Sequence, residues 1–393
     1  MDTITHGIAG ALIGKAVFGG EDMFASRPMN RARMVTWALM LGAIFPDSDM
    51  FREFFSSNPM LILTWHRSLT HSLVCMPFFA LALAALTRWF ARWRKWDAPS
   101  FAALAGIYAV GILSHIFLDL ATSFGTMIWS PVRWSRPAWD LLFIIDITFT
   151  ALLLCPQILA WVYRQPEGLK NRAIIMWSVL SLASLGVAAL LQNVGAPISA
   201  QTAVIVILLI AAFFLLPTVG GKGLRVRYAT WNRAGLAAAI VYIGAASYAH
   251  HIALERVEQF VSIFQLKVES LGALPLPPSI WHWNGLVNTP QGVFEVQLDL
   301  GQPASPQTIE HRYYPDAFPN RYIDTAKRLP EVQEVLWFAR FPVVRFHKEG
   351  GDAVVEISDI RFQQLRRGSR AAFTYRVKMD LSGNVISQGW ERD

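Results

Sequence analysis

Over its first 252 residues the chain alternates between long apolar stretches and short polar linkers. A helix needs about 20 apolar residues to cross about 30 Å of hydrocarbon, so stretches near that length are candidate membrane spans. On this pattern we predict about eight spanning helices, the first two of them short, at residues 3–20, 34–46, 72–90, 101–121, 140–163, 173–192, 198–217 and 234–252.

The pattern changes from about residue 253, where hydrophobic and polar positions begin to alternate with period two, as in half-buried strands. Such runs occupy residues 293–300, 342–346, 353–357 and 373–380. A helix is expected within 322–338, and Ser382-Gly383-Asn384 is typical of a hairpin turn. The predicted fold is therefore an α-helical polytopic membrane domain, 1–252, followed by a soluble, mostly β (α+β) domain, 253–393.

Composition supports the membrane assignment. Hydrophobic residues make up 53% of the chain and charged residues 16%, which is too apolar for an ordinary soluble domain. The net charge of +7 could suggest nucleic acid binding, but the basic residues lie mainly in short linkers between apolar segments. Topology is the simpler explanation, so no nucleic acid partner is expected. Because no basic region precedes the first apolar stretch, we also expect no removable signal peptide.

The basic linkers predict the orientation. If the chain crosses the membrane eight times, four basic linkers lie on the same side, which the positive-inside rule makes cytoplasmic. They contain Arg27, Arg31 and Arg33; Arg88, Arg92, Arg94 and Lys95; Arg164, Lys170 and Arg172; and Lys222, Arg225, Arg227 and Arg233. The polar motifs described below then fall on the opposite side, with Arg133 and Arg136 as basic exceptions there. We expect an inner-membrane protein whose polar site and C-terminal domain are extracytoplasmic.

The motif that carries most chemistry is His115-Ile-Phe-Leu-Asp119, inside a predicted span. Residues four apart share one helical face, so this imidazole and carboxylate can bind the same metal. Ionisable side chains are costly in a bilayer and are functional candidates there. The spacing alone is weak evidence, since many helices carry it by chance. Thr122 and Gly125 follow, where a helix end and a turn are the simpler interpretation.

Two carboxylates and an early histidine come from other segments. Asp47 and Asp49 follow Pro46 at the end of a predicted span, and Asp47 is the candidate to bridge metals. A solvated turn is the alternative for both. His6 lies on a helix whose small residues, Gly10 among them, allow close packing, so this helix can bring His6 into a shared pocket.

The segment His66-Arg-Ser-Leu-Thr-His-Ser72 supplies two more candidate ligands, His66 and His71. Arg67 could offer a bidentate fork to a phosphate or a developing oxyanion, or it could be an interfacial arginine. Thr70 and Ser72 are expected to cap the following helix.

The last motif is downstream of the histidines. Asp146 interrupts the apolar run 143–149, where an unpaired carboxylate would be costly, so it should meet a metal, a histidine or an arginine. For Asp140 an N-cap role competes strongly. The candidate metal ligands are thus His6, Asp47, His66, His71, His115, Asp119 and Asp146, and the candidate catalytic residues are Arg67 and Asp49.

With these motifs in order, the first 150 residues resemble the YdjM-type family of membrane-bound metal-dependent hydrolases. Asp2-Thr-Ile-Thr-His6, Phe45-Pro-Asp-Ser-Asp49, the His66–Ser72 segment and His115-Ile-Phe-Leu-Asp119 carry the resemblance. Ser68 stands where that family usually has glycine. The family is distantly similar to zinc-dependent phospholipase C and single-strand nucleases, which implies a phosphodiester-type hydrolase.

The sequence therefore predicts a membrane-embedded metal-dependent hydrolase. Zinc is the expected cofactor, with manganese or iron as alternatives. A site near the membrane interface suits a lipid or another interfacial ester as substrate, so the expected partners are the bilayer and that substrate. Two rival functions remain open: a divalent cation transporter that uses His115 and Asp119, and a non-catalytic membrane anchor whose C-terminal domain binds a partner.

Overall fold

The computed structural model describes residues 1–19, 30–56, 58–193, 199–221, 223–277, 280–302, 310–363 and 373–391. Its amino-terminal part is helical. The helices are α1 (Thr3–Phe18), α2 (Arg31–Ile44), α3 (Met50–Phe54), α4 (Leu61–Thr64), α5 (Met76–Trp93), α6 (Phe101–Leu120), α7 (Ile147–Val162), α8 (Leu169–Asn193), α9 (Ala200–Leu215) and α10 (Tyr228–Phe264). Short 3₁₀ turns at Phe45–Asp49 and Leu69–His71 hold two of the predicted motifs.

The predicted count of eight spans is not supported. Within the described residues four helices are long and apolar enough to cross a membrane, in α6, α8, α9 and α10. A bent pair, Leu61–His71 with Met76–Trp93, makes a fifth candidate if it is one broken span. Helices α1 and α7 have 16 residues each and α2 has 14, and 16 residues reach only about 24 Å. An apolar stretch in the sequence does not distinguish a lipid-facing helix from a short one buried among other helices.

Close helix packing holds the short helices in place, as the small residues of the first segment predict. A Cβ atom on Gly10 of α1 would lie 2.7 Å from the carbonyl oxygen of Leu39 in α2. A Cβ on Gly111 of α6 would lie 2.7 Å from that same oxygen and 3.0 Å from the Cα of Gly42. Glycine therefore lets both α1 and α6 approach the backbone of α2 at the level of the polar motifs.

The carboxyl-terminal part contains two antiparallel sheets, which confirms the predicted β-rich region. One has the order β1-β2-β3-β4 and the other β5-β6-β7-β8. The strands are β1 (Ser270–Pro275), β2 (His282–Thr289), β3 (Gly292–Asp299), β4 (His311–Pro315), β5 (Pro342–Glu349), β6 (Asp352–Asp359), β7 (Thr374–Met379) and β8 (Val385–Trp390). The predicted helix within 322–338 is two short helices, α11 (Arg321–Lys327) and α12 (Pro330–Phe338). Gly383, with φ of 92°, occupies the predicted turn between β7 and β8.

The two sheets pack on the helical part at separate places. The carboxyl-terminal half of α10, which continues to Phe264, packs through Val257 and Phe260 against the first sheet. Helix α4 and Phe124 join a buried cluster with α12 and the second sheet. Because the helix runs on past residue 252, the proposed domain limit at 252/253 stays a prediction.

One ion pair joins the two parts of the chain and corrects a prediction. Asp140 does not cap a helix: its carboxylate accepts two hydrogen bonds, of 3.0 and 2.9 Å, from the guanidinium of Arg340. The N-cap of α7 is Asp146. The partner of Asp140 is 200 residues away in the chain, and local sequence gives no sign of it.

We predict that Gly111→Ala destabilises the protein by about 1–3 kcal/mol, because the added methyl meets backbone atoms that cannot move aside. Thermal unfolding in detergent measures the effect. The matched control is Gly106→Ala in the same helix, where a Cβ meets no atom within 4 Å. That change should be neutral or slightly stabilising, and equal midpoints for the two variants would contradict the packing described.

Candidate metal centre

Four of the predicted ligands meet at one buried point. Asp47, His71, His115 and Asp119 each offer one ligand atom, and these atoms all lie within 4.8 Å of one another. His115 and Asp119 come from one face of α6, as their spacing predicts, and the other two come from the two 3₁₀ turns. His71, His115 and Asp119 are fully buried, and Asp47 is 9% exposed. We call these four residues the acceptor cluster.

The two imidazole rings of the cluster are fixed by their Nδ1 atoms. His115 Nδ1 lies 2.6 Å from the carbonyl oxygen of Ala43, which can only accept, so this nitrogen carries a proton and donates it. His71 Nδ1 lies 3.0 Å from Thr70 Oγ1 and 3.5 Å from Asp49 Oδ2. In a neutral ring with Nδ1 protonated, Nε2 carries a lone pair. The two Nε2 atoms face each other 2.9 Å apart.

Two carboxylate oxygens lie close to the same two Nε2 atoms. Asp119 Oδ2 lies 3.2 Å from His71 Nε2 and 3.3 Å from His115 Nε2, and Asp47 Oδ1 lies 3.7 and 3.4 Å from the same two nitrogens. Within the described part of the chain Asp119 Oδ2 has no hydrogen bond of acceptable geometry. Four lone-pair atoms that meet in a buried place can hold a cation between them. Two imidazoles and two carboxylates fit a divalent metal such as zinc, and also manganese or iron.

Asp47 and Asp49, which precede α3, are held in the ionised form. Burial alone would raise the pKa of the Asp47 carboxyl, but the neighbouring imidazoles of His115 and His71 outweigh burial and lower this pKa well below its usual range. Burial would also raise the pKa of Asp49, and the hydrogen bond from His66 is the largest of the contacts that lower it. An ionised Asp47 is the form that a metal site needs.

Asp49 lies behind the histidines instead of inside the cluster. Its Oδ1 is 3.2 Å from His66 Nδ1, and its Oδ2 accepts a 2.8 Å bond from the backbone N–H of Arg67. Together with its 3.5 Å approach to His71 Nδ1, these contacts orient both rings. Carboxylates that hold the far nitrogen of a ligating histidine are common around protein metals. Asp49 is therefore a positioning residue, and His66 is not one of the four cluster residues.

Arg67 and His6 touch the cluster from outside. Arg67 Nε lies 3.0 Å from Asp119 Oδ2, and Arg67 NH1 donates to Thr122 Oγ1 at 3.0 Å. Its backbone has φ of 58°, a conformation that is uncommon outside glycine and often marks functional sites. His6 Nε2 lies 3.1 Å from Asp119 Oδ1, and the ring stacks on His115 with 3.6 Å between centroids. The helix of His6 thus does bring it into the shared pocket.

Asp146, like His6 and His66, is a predicted ligand that the structure does not bring into the acceptor cluster. Its Oδ1 caps α7 by accepting a 2.8 Å bond from Phe149 N, and its Oδ2 accepts a 2.8 Å bond from the Tyr242 hydroxyl. Both oxygens are therefore already used. The prediction that Asp146 meets a metal, a histidine or an arginine is therefore wrong, because its partners are a helix end and a tyrosine on α10.

Two side chains beside the site, those of Thr3 and Arg136, were missed from the sequence. Thr3 Oγ1 donates to Asp47 Oδ2 at 2.5 Å. The guanidinium of Arg136 donates to the carbonyl oxygens of Leu63 and His66 and so supports the turn that carries His66. The sequence signal for a role of Arg136 was its positive charge on the motif side, where the positive-inside rule predicts few basic residues. Ser72 does not cap a helix terminus as predicted for it: α5 has Cys75 at its N-cap, and the Ser72 hydroxyl donates to the carbonyl of Ser130.

Two spaces reach the site from different directions. An apolar groove of about 830 Å³, lined by α2, α5 and α6, has Thr3 and Asp47 on its wall. A second cavity, of about 730 Å³, has His66 and Arg67 on one wall and residues of the C-terminal sheets on another. The acceptor cluster and its immediate contacts therefore contribute to both spaces.

We expect the protein purified in detergent to carry a divalent metal, and His115→Ala combined with Asp119→Ala to abolish its binding. Elemental analysis of dialysed protein measures the content. His251→Ala is the control, since its side chain is 69% exposed on α10, and it should retain the wild-type amount. Negligible metal in the wild type, after reloading with zinc and manganese, would contradict the fit described above.

Comparisons with known proteins agree with the membrane character of this region. The model of the YdjM inner membrane protein family matches residues 1–194, which contain the whole acceptor cluster. Neither the curated proteins nor the solved structures gave a match. The C-terminal sheets lie outside the matched residues. Through its amino-terminal residues 1–194, the chain is similar to the YdjM inner membrane protein family.

Proposed function

We propose that this protein is a membrane-embedded, metal-dependent hydrolase that cleaves a phosphodiester, or a related ester, of a lipid or another interfacial substrate. The observation that carries the proposal is the acceptor cluster, of which Asp47 lines the apolar groove while its neighbour Arg67 lines the second cavity. A substrate in the groove would therefore come close to a metal held by the cluster.

The cluster residues would hold the metal. His71 and His115 would bind through Nε2, and Asp47 and Asp119 through one carboxylate oxygen each. A bound divalent ion supplies Lewis acidity, and it allows water to act as a nucleophile at neutral pH. Zinc is the first candidate for this donor set, as the sequence also suggested.

The remaining chemistry falls to side chains of the chain itself. In the proposed reaction the oxygen of a water adds to phosphorus, the bond from phosphorus to the leaving alcohol oxygen breaks, and that oxygen takes up a proton. Arg67, which is beside the cluster and on the cavity wall, would stabilise the negative charge that grows on the phosphoryl oxygens. His66, held through its Nδ1–H by Asp49, would take a proton from the water at Nε2 and pass that proton to the leaving alcohol.

The apolar groove supports a lipid as substrate. Its walls carry Trp37, Leu41, Leu86 and Phe90, and it ends at the polar atoms of Thr3 and Asp47. An acyl chain in the groove would leave the ester linkage of the lipid near the cluster and its head group near the second cavity. A soluble substrate would gain nothing from such a groove.

We predict that Arg67→Ala lowers hydrolysis of phospholipid vesicles by about 100- to 1000-fold, the usual effect of removing a group that stabilises transition-state charge. Mass spectrometry of the released head group and diacylglycerol measures the rate. Arg133→Ala, an exposed arginine of the same region, should have the wild-type rate. Metal content of the Arg67 variant must be checked in parallel, because Arg67 also contacts Asp119.

Hydrolysis that persists in both the Arg67→Ala variant and the His115→Ala/Asp119→Ala variant would contradict the proposal. Metal binding without hydrolysis, but with metal flux into proteoliposomes that depends on Asp119, would favour the transporter instead.

We also propose that the site and the C-terminal domain face the extracytoplasmic side. If α6 and the short helix α7 both cross the membrane, the basic linkers 88–95 and 164–172 would lie on one side, and His115 and Asp119, near the carboxyl-terminal end of α6, would lie on the other. A positive charge excess on one side indicates the cytoplasm. This supports an extracytoplasmic lipid as the substrate.

A reporter enzyme that is active only in the periplasm tests the orientation. Fused after Asp393 it should be active, and fused at Gln165 it should be silent, because the two points lie on opposite sides of the membrane in the proposed topology. The reverse pattern would place the site in the cytoplasm and would make cytoplasmic-leaflet substrates the better candidates.

A further inference from the structure

The wall of the second cavity opposite the metal centre is one face of the first C-terminal sheet. Asn284 of β2 stands directly across from Gln297 of β3, and Glu295 of β3 stands across from Arg312 of β4. All four side chains line the cavity. Alternate positions of neighbouring strands point to the same face, so these polar groups form one continuous patch. We call them the polar wall.

Among the described residues, the hydrogen bonds of the polar wall leave one buried oxygen, Asn284 Oδ1, without a donor. Glu295 Oε1 accepts a 2.9 Å bond from Asn284 Nδ2, and Glu295 Oε2 accepts a 2.7 Å bond from the Tyr314 hydroxyl. Arg312 NH1 in turn donates to the Tyr314 oxygen at 3.0 Å. Because the carboxylate takes the amide N–H, the free atom of Asn284 is Oδ1. Asn284 is 9% exposed, and no group in the described ranges donates to this oxygen.

An unpaired buried oxygen on a cavity wall is unusual in native proteins and calls for a donor from elsewhere. The cavity is large enough to supply one, since about 730 Å³ lies in the normal range for small-molecule sites. A sheet face that served only to pack against the helical part would have no such space in front of it.

The charges around the cavity indicate what kind of group would fit. Glu295 is bound at both oxygens, and Arg361 pairs with Asp359 at 2.7 Å. Glu295 therefore has no free oxygen, and the charge of Arg361 is neutralised. The guanidinium of Arg312 donates to the Tyr314 hydroxyl, and Asn284 and Gln297 offer amide groups, which both donate and accept hydrogen bonds. Such a surface suits a neutral, hydroxyl-rich group better than a cationic one.

Aromatic rings on the side of the cavity add a second element. Phe124, Phe362 and Phe373 all line it, and Phe362 lies 4.7 Å from Phe373 and 6.0 Å from Phe124 between ring centroids. The C–H faces of a sugar or polyol ring pack on such surfaces while its hydroxyls reach polar side chains. The phosphate of a lipid in this position would stand at the Arg67 side of the cavity.

We infer that the C-terminal domain is the head-group recognition element of the enzyme, and that its polar wall binds a hydroxyl-rich, sugar- or polyol-type head group of the lipid substrate. The statement that this lipid is hydrolysed rests on the proposed function. The binding itself does not, since it depends on residues of β2, β3 and β4 that are remote in sequence from the metal ligands.

Binding of defined lipids to the full chain tests the inference. The protein is purified in detergent with a chelator, so that no hydrolysis occurs, and native mass spectrometry measures the occupancy of three lipids with identical acyl chains. Phosphatidylinositol carries a polyol head group, phosphatidic acid is anionic without one, and phosphatidylcholine is zwitterionic. Phosphatidylinositol should bind most tightly. Asn284→Ala should weaken its binding roughly three- to tenfold and leave phosphatidic acid unchanged.

Asn288→Ala is the matched control, because Asn288 lies on the same strand but does not line the cavity. It should bind like the wild type. Gln297→Ala, which removes an exposed side chain of the polar wall, should act in the same direction as Asn284→Ala and guards against a folding defect in the buried variant. Thermal midpoints of all variants identify such a defect.

Equal affinity for the three lipids, or equal losses in the Asn284 and Asn288 variants, would overturn the inference. The proposed function fails separately: selective binding of phosphatidylinositol with no hydrolysis after metal reloading would remove the enzyme activity and keep the recognition site. Hydrolysis of all three lipids at similar rates would support the enzyme activity and argue against the recognition site.

Discussion

The close approach of α2 and α6 around Gly42 and Gly111 is the contact on which the site depends. Without a Cβ at Gly111, the backbone of α2 comes near enough for the Ala43 carbonyl to bind His115 Nδ1. That bond fixes the protonated nitrogen of His115 and turns its Nε2 towards His71 and the two carboxylates. A wider spacing would release the ring and scatter the lone pairs that make the cluster suitable for a cation.

Features with a local cause could be predicted from the sequence. The pairing of His115 with Asp119 follows from helical spacing, and β3, β5, β6 and β7 follow from alternating hydrophobicity. The conjunction of His71 and Asp47 with them was a hypothesis from the order of motifs, and the structure brings those four together. Their geometry depends on two short 3₁₀ turns that no periodicity would indicate.

Features with a distant cause could not be predicted. The span count was wrong because the apolar segments of α1, α2 and α7 are hydrophobic for packing among helices as much as for contact with lipid. Asp140 was assigned to a helix end because its partner, Arg340, belongs to the other part of the chain. Asp146 was taken for a ligand because neither its cap bond to Phe149 nor the Tyr242 hydroxyl is visible in the sequence. The polar wall was hidden for the same reason, since strand register decides which side chains meet.

The proposed chemistry depends on a cation within the acceptor cluster. X-ray absorption spectroscopy at the metal edge of the zinc-loaded protein reports the ligand atoms directly. We predict a first shell of nitrogen and oxygen at about 2.0–2.2 Å with outer-shell features of two imidazole rings, the values expected for histidine and carboxylate ligands. The imidazole features should disappear when His71 and His115 are replaced. A shell that contains sulfur, or imidazole features that survive both replacements, would show that the metal binds elsewhere.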